Sequence, residues 1–572
     1  MTAGKSPILT SDEFRSELQR RLQSNGDKVL LRIVNSPKFD EPCELTGSDI
    51  LNRALELTEK YHFESNGKVV LILLPHSPEL FLLHIGLILR SQCPAILPWP
   101  TTRIDRAKYQ RNLVHQIRTL AADALITVPD LAANLSQSLS YPVLACDPGG
   151  VDTAQKTFRS DFDVADYQKD DEPFPCRPLN DALFLQFSGG TTGAQKAVAI
   201  TASMLVEQLD RLREVLSFST TDCVASWLPL YHDMGLIGCL WLPLWAGGSS
   251  TQLSATDWLM SPELLFKVID KHNGTFCWLP NFAFSYLAQQ RRFMKGKYVL
   301  GGMRAWINCS EPVRLASMEA FVSAFSDWGV RSESMQASYA MAENVFAVTQ
   351  SALNRPPATF PRERLQMFGG RFADASYKSN DQVFVSSGKL LPDMHLRIVD
   401  SDGDECGDGH AGEIQISTPS LFGGYWSLDS KPADCFTNDG WYRTGDLGFV
   451  DNQDLYVIGR IKDIIIVGGQ NIFPEDVESI VNKINGVYPG RVVAFGVNDE
   501  ALGTEAMSIV AEHRESADQA SIEAEIRKQI MIATGVAPRY VKVVPERWII
   551  KSTAGKISRR DTKERFIQEF LK

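Results

Sequence analysis

Short apolar runs alternate with helix-length segments from about residue 69 to residue 340, and this alternation limits the fold more than any other feature. Residues 69–74, 124–128, 143–146, 182–187, 223–229, 275–279, 305–309 and 334–337 read as buried strands, with 79–90 as an apolar helix. Strands that alternate with helices pack as parallel sheets covered by helices on both faces, an α/β fold. In such sheets ligands sit at the carboxyl ends of the strands. Ahead of this region, residues 10–23 read as a helix, with Thr10 and Glu13 at capping-box spacing.

Within the alternation, the run at 182–187 breaks into Ser188-Gly189-Gly190-Thr191-Thr192-Gly193 and reaches Lys196. The three glycines let backbone N–H groups face one point without Cβ obstruction. Amides, hydroxyls and an ammonium aimed together suit a polyphosphate. The spacing is not that of a Walker A loop. Taken alone, the stretch reads equally as an ordinary loop after a strand.

Four more polar segments follow apolar runs or turns, each with two readings. In LPLYHDMGLIG, His232 reads as a contact to a bound carboxylate or as a hydrogen-bonded structural histidine, and Asp233 as an amine partner or a helix cap. In SYAMAEN, Tyr339 reads as a platform for a purine or a core tyrosine, and Glu343 as a hard oxygen ligand for Mg²⁺ or a surface acid. In WYRTGDLG, Asp446 suits the two hydroxyls of a ribose, with Arg460 supporting the sugar or a phosphate, or the pair is a turn Asp and a surface Arg. Near the end, KSTAGKISRR places Lys556 on a small flexible turn or in a basic tail helix.

A chain of 572 residues has room for two to four domains. Its net charge of -11 argues against nucleic acid as a main partner, because phosphate backbones need basic surfaces. The ten cysteines form no Cys-x-x-Cys pair, so neither zinc nor a redox couple is signalled, and a reducing, cytoplasmic setting is expected. The most apolar region, 69–89, is broken by Pro75, His76, Pro78 and Glu79, so no membrane span is expected.

Beyond residue 383 the texture changes. Residues 383–386, 395–400, 413–417 and 455–458 read as short strands between Asp/Gly turns, a small β-barrel or distorted sheet over about 383–458. Residues 475–485 and 521–532 then read as helices, and 492–496 and 507–511 as strands. This organisation gives an N-terminal domain over 1–460 and a small C-terminal α+β lid over 461–572. Residues 350–378, with three prolines and no clean period, read as an insertion or loop.

Taken in order over roughly residues 180–560, these segments resemble the adenylate-forming superfamily of acyl-CoA synthetases, peptide-synthetase adenylation domains and luciferases. LPLYHDMGLIG, LPNFAFSYL, NCSEPV and SYAMAEN are most similar to fatty acyl-AMP ligases, as is the length of the segment between Glu343 and Val383. Two positions depart from that pattern. Gly468-Gly469-Gln470-Asn471 is closer to the CoA-using enzymes, and Ala340 stands where the family usually has Gly.

The resemblance implies ATP-dependent activation of a fatty carboxylic acid to acyl-AMP, then transfer to a phosphopantetheine thiol of an acyl carrier protein or of CoA. It implies that Ser188, Gly189, Gly190, Thr191, Thr192, Gly193 and Lys196 hold phosphates. Glu343 would hold Mg²⁺, with Thr191. Ser310, Glu311, Pro312, Ser338, Tyr339, Ala340 and Met341 would border the nucleotide, with Asp446, Ile458 and Arg460 at the ribose. Lys556 would bridge carboxylate and nucleotide oxygens, and the lid would turn about Lys462 to bring Gly468 and Gly469 to a thiol tunnel. His232, Trp278, Phe282, Phe284 and Met341 would line the acyl pocket, although core packing is the ordinary role of such aromatics. The 350–378 segment would dock on the lid and restrict its swing. A silent nucleotide-binding member is the reading of another class; the presence of Glu343, Asp446 and Lys556 weighs against it.

Overall fold

A computed structural model of the chain describes residues 9–35, 39–63, 65–100, 109, 113–114, 116–117, 119–136, 142–148, 181–188, 196–367, 383–426, 435–467, 470–499, 504–514, 518–551 and 557–571. Of the expected site residues, Gly189, Gly190, Thr191, Thr192, Gly193, Gly468, Gly469 and Lys556 lie outside the described residues, as does 368–378 of the expected insertion.

The alternating region folds into two sheets with helical cover. The smaller orders its strands as Val143–Ala145, Ala124–Thr127, Val69–Leu73, Cys93–Ile96, Ala182–Phe187 and Ala197–Thr201. All neighbours are parallel except the last pair. The larger orders Lys389–Leu390, Ala347–Gln350, Met335–Ala340, Ala305–Cys309, Phe276–Leu279, Cys223–Ser226, Ser249–Leu253, Val29–Val34 and Cys43–Thr46. Its interior is parallel and its edges antiparallel. Val69–Leu73 is buried at every position, as a strand covered on both faces must be. The helix after it, Pro78–Leu89, starts with Ser77 accepting from Leu80 N–H and with proline in its first turn, where the missing N–H costs nothing. Ser11–Ser24 carries the expected capping box of Thr10 and Glu13.

Where the two sheets meet, His84 lies fully buried against Phe184 and Trp241, with ring centroids at 5.3 and 5.7 Å. Its Nε2 accepts the Trp241 indole N–H at 3.2 Å. Burial lowers its pKa to about 3, so the ring is a neutral acceptor that joins the sheets beneath Ala182–Phe187.

A five-stranded sheet follows, with Gln366–Met367, His410–Ser417, Tyr442–Asp451 and Asp454–Arg460 in order and His395–Val399 beside His410–Ser417. Further on, Val487–Asp499, Thr504–His513 and Tyr540–Val544 form a three-stranded sheet. Helices Pro474–Val481 and Gln519–Thr534 supply Val477, Ile480, Ile526 and Ile530 to a separate apolar cluster with Ile509 and Val541. Ile464 and Phe473 pack instead with Phe449 and Tyr456 of the five-stranded sheet, so the two regions share an apolar seam.

Local departures from the expected elements have physical causes. The helix expected over 475–485 is Pro474–Val481; tighter bonds from Lys483 to Ile480 and from Ile484 to Val481 close it. The strand expected over 223–229 stops at Ser226, whose hydroxyl takes the Leu228 N–H at 3.0 Å. Met234–Trp241 is a π-helix, a rare form associated with functional sites. Two glycines permit its close packing. A Cβ on Gly235 would stand 2.3 Å from the Pro229 carbonyl oxygen, and one on Gly238 would stand 3.1 Å from Phe346.

Candidate active site

Three strand ends deliver polar groups, as the parallel sheets require. Ala182–Phe187 ends in Ser188, which is buried and whose N–H donates to the Lys196 carbonyl at 2.8 Å. Residues 188 and 196 therefore pin the two ends of the glycine-rich stretch. The Lys196 ammonium stands 4.4 Å from the Tyr425 ring centroid, a cation–π distance. Tyr425 in turn donates its hydroxyl to Glu343 Oε1 at 2.6 Å and lies 3.3 Å from the Tyr442 hydroxyl.

Glu343 sits in the single turn Ala342–Asn344 after Met335–Ala340. Burial pushes its carboxyl above the usual range, the Tyr425 hydroxyl and Arg460 pull it down, and Asp233 pushes it up. The turn is strained. Val345 has φ of 64°, a left-handed conformation that a β-branched residue avoids. The Asn344 amide holds the turn through the Ala347 carbonyl at 2.9 Å, and Phe422 N–H donates to the Glu343 carbonyl at 2.8 Å. Strain held by such contacts marks functional sites.

Asp446 and Arg460 face each other across the antiparallel pair Tyr442–Asp451 and Asp454–Arg460. Arg460 Nε lies 3.2 Å from Asp446 Oδ1, and the Tyr339 hydroxyl donates to Asp446 Oδ2 at 2.6 Å. Asp446 raises the guanidinium pKa; burial and the same carboxylate push the tyrosine hydroxyl far up. Beside this group lies a cavity of about 260 Å³, lined by Glu413, Thr444, Gly445, Arg460, Ile461 and Lys462. Lys462 lies in the turn Ile461–Asp463, and burial lowers its pKa, with Arg460 and Lys196 adding to the effect. Lys196, Glu343, Asp446, Arg460 and Lys462 thus belong to one electrostatic neighbourhood.

The remaining expected residues divide. Ser310 ends Ala305–Cys309 with φ of 72°, a second left-handed residue at the site. Glu311 accepts the Phe282 N–H at 2.9 Å and so anchors the start of helix Asn281–Gln290, which has no side-chain cap of its own. Pro312 is half-buried beside it. Ser338 donates to the Thr349 carbonyl at 2.8 Å and is spent within the sheet. Ala340 and Met341 are half-buried, and Met341 N–H bonds the Phe346 carbonyl at 2.9 Å. Ile458 is buried with Leu447 and Phe449.

His232 Nδ1 lies 3.6 Å from Asp233 Oδ1 at the entry to the π-helix, and Asp233 accepts the Met234 N–H at 2.9 Å. Trp278 is fully buried, its indole N–H has no partner among the described residues, and a Cβ on Gly238 would lie 3.6 Å from its ring. Phe282 is half-buried, edge-on to Trp227 at 6.4 Å. Phe284 is fully buried against Phe321 at 5.2 Å, in the interface of helices Asn281–Gln290 and Leu315–Phe325.

Sequence reasoning passed over several groups. Tyr425 and Tyr442 link lysine, carboxylate and sheet, and their signal was slight: a tyrosine after Gly423-Gly424, and one before Asp446 in WYRTGDLG. Asp476, almost fully buried, receives Arg314 at 3.2 Å and both ends of Arg362 at 2.9 and 3.0 Å, so two arginines from earlier in the chain grip helix Pro474–Val481. Arg559 reaches Asp463 at 2.9 Å, Glu475 at 3.2 Å, Glu478 at 2.9 Å and the Ala494 carbonyl at 3.0 Å. Lys551 and Ile557 pair as an isolated antiparallel bridge, two residues before Arg559.

The chain is 30% identical over 436 residues to the long-chain-fatty-acid–AMP ligase FadD32 of Mycobacterium marinum, covering 68% of this chain and 69% of the relative. It is 27% identical over 561 residues to a 4-hydroxyphenylalkanoate adenylyltransferase of the same species, covering 93% and 87%. Its fold matches a solved fatty acyl-adenylate ligase, from work on the Escherichia coli and Legionella pneumophila enzymes, with TM-score 0.80 at 23% identity over 99% and 100% of the chains. It also matches the McyG adenylation and carrier unit with phenylalanyl-adenylate, with TM-score 0.80 at 20% identity over 99% and 84%. The sequence profile of the AMP-binding enzyme family matches residues 20–426, and with it the chain belongs to that family of enzymes.

Proposed function

We propose that this chain activates a fatty or other hydrophobic carboxylic acid with ATP. A carboxylate oxygen attacks the α-phosphorus, the bond to the bridging oxygen of the β-phosphate breaks, and pyrophosphate leaves with that electron pair. The acyl-AMP then passes its acyl group to a phosphopantetheine thiol, and AMP departs. The supporting observation is the convergence of Lys196, Glu343, Asp446 and Arg460. Fatty-acid and adenylate chemistry in the names of two relatives supports the same reading.

The residues present fit a nucleotide and its cation. Mg²⁺ is commonly held by one or two carboxylates and the substrate phosphates. Glu343 is a single half-buried carboxylate of raised proton affinity, a group that a cation would keep ionised. Among the described residues no cluster of three metal-ligating side chains occurs, consistent with phosphates completing the set. The cation would supply charge neutralisation at the phosphates. Asp446, oriented by Tyr339 and Arg460, presents acceptors for ribose hydroxyls. Lys196 and Lys556 supply fixed positive charge as the phosphorus becomes pentavalent.

Transfer needs the thiol to reach the adenylate at the place assigned here to Lys556, so the lid is proposed to turn at Lys462, with a boundary at residues 460–462. Two observations bear on the acceptor. The Arg362–Asp476 pairing ties the start of the 350–378 segment to the lid, which favours a restricted swing and a carrier protein. Gly468-Gly469-Gln470 favours free CoA. Purified protein with ATP and a long-chain acid is expected to release pyrophosphate and form acyl-AMP, and to load a pantetheinylated carrier faster than CoA. No acyl-AMP from any hydrophobic acid overturns the reading; faster CoA loading overturns only the acceptor.

A further inference from the structure

Residues 281–310 contain five basic residues, Arg291, Arg292, Lys295, Lys297 and Arg304, and no acidic one, in a chain of net charge -11. The same stretch exposes two large apolar side chains, Phe293 at 63% and Val299 at 76%. Glu263 ties this loop to its neighbour: its carboxylate accepts Gly296 N–H at 2.5 Å and the Tyr298 hydroxyl at 3.1 Å. Glu263 opens helix Glu263–His272, three residues after Met260, which is 79% exposed, and beside Leu259 at 41%. Arg291 is spent on Asp327 at 2.8 Å, and Arg292 lies over the Phe293 ring at 4.7 Å. Arg292, Lys295 and Lys297 have no ion-pair partner among the described residues and remain exposed. This stretch therefore carries exposed apolar tips close in sequence to cations that have no ion-pair partner among the described residues.

An aromatic run leads inward from this face. Tyr286 meets Trp258 edge-on at 5.6 Å, Trp258 stacks on Trp227 at 3.8 Å, and Trp227 meets Phe282 at 6.4 Å. Phe282 begins the helix that Glu311 anchors, and Phe293 follows its end. Ten helical residues span ~15 Å, so an apolar path of that order separates the patch from the strand end at Ser310.

We propose that this face docks on an anionic lipid surface, from which a membrane-dissolved fatty acid enters toward the aromatic run. Exposed Phe, Met and Val tips flanked by Lys and Arg suit the interfacial layer, and an acidic leaflet complements the charge. An acidic carrier protein would also meet the cations, but apolar tips that stand this clear of the surface have no use on a polar helix. No described helix is long and apolar enough to cross a bilayer, so the association is peripheral. Delivery of acid through this face rests on the acyl-activation reading above; docking itself does not.

The test is flotation of the full chain with phosphatidylglycerol-containing vesicles against phosphatidylcholine vesicles. The wild type floats with the anionic vesicles only, and salt releases it. Lys295→Gln with Lys297→Gln lowers partitioning about 30-fold, from about 1 kcal/mol per charge. Phe293→Ser with Val299→Ser abolishes flotation, while turnover of a soluble short-chain acid is unchanged and turnover of a vesicle-borne long-chain acid falls. Absence of flotation, or equal flotation of these variants, overturns the proposal. So does loss, in the same variants, of affinity for an acidic carrier protein that never needed lipid. A chain that floats yet activates no acid keeps the docking face and loses the activation reading.

Discussion

Two charged clusters on either side of Lys462 use the same ingredients and arrive at different ends. Around Arg559, the carboxylates Asp463, Glu475 and Glu478 and the Ala494 carbonyl take up the guanidinium on all sides. Around Arg460, among the described residues, Asp446 takes Nε and a tyrosine hydroxyl, Glu343 takes another tyrosine hydroxyl and a backbone N–H, and a cavity of about 260 Å³ adjoins. The first cluster is saturated and works as an anchor. The second keeps acceptor edges and space, which is what a ligand needs. The composition of a charged cluster says little about its role; the directions its donors leave unfilled say more.

The largest test of this contrast is Arg559→Met. It strands carboxylates without their cation and should cost about 3–5 kcal/mol in denaturant unfolding. An unfolding midpoint like that of the wild type would break the comparison from the anchor's side. Next comes Asp446→Asn, with Glu343→Gln as its companion. Each should lower acyl-AMP formation about 10²–10³-fold, roughly 3 kcal/mol, with little change in unfolding. Destabilisation without selective loss of activity would make the second cluster an anchor too.

Tyr425→Phe should act on a smaller scale. Its hydroxyl lowers the Glu343 pKa, so removing it raises that carboxyl further and shifts the acid limb of the pH–rate profile toward alkaline pH. The hydrogen bond to a charged group is worth about 1.5–3 kcal/mol. A profile that keeps its position would detach Tyr425 from the site.

The smallest effect belongs to Glu478. Burial raises its carboxyl from 4.5 to about 7, against the pull of Arg559 and with the help of Glu475. Between those values the folded state holds a proton that the unfolded state lacks, so this group's stabilisation is full below 4.5 and is lost as pH rises through about 7. Compared with the wild type, Glu478→Gln should lack this fall in stability. Parallel curves would show that Glu478 does not titrate there.

Much of the fold was legible because fully buried parallel strands leave continuous apolar runs, as in Val69–Leu73 and Ala305–Cys309. The π-helix Met234–Trp241 was not, because an apolar run carries no mark of its hydrogen-bond spacing. In the site, Glu343, Asp446 and Lys196 stand in polar motifs that the sequence shows, and the structure brings them into one neighbourhood. Glu311 did not betray its role, since an acid beside a turn looks alike whether it faces a ligand or caps a helix through Phe282. Asp476 and Arg559 were silent for the reason that makes them effective: their partners lie 65 to 162 residues away, beyond any local pattern.

The central claim is that the open cluster is an acid-activating site, and product analysis of one reaction tests it directly. Folded protein incubated with ATP, Mg²⁺ and a long-chain fatty acid should yield acyl-AMP and an equal amount of pyrophosphate, with no ADP. ADP and phosphate as products, or no acid-dependent product from protein that binds ATP, would contradict it.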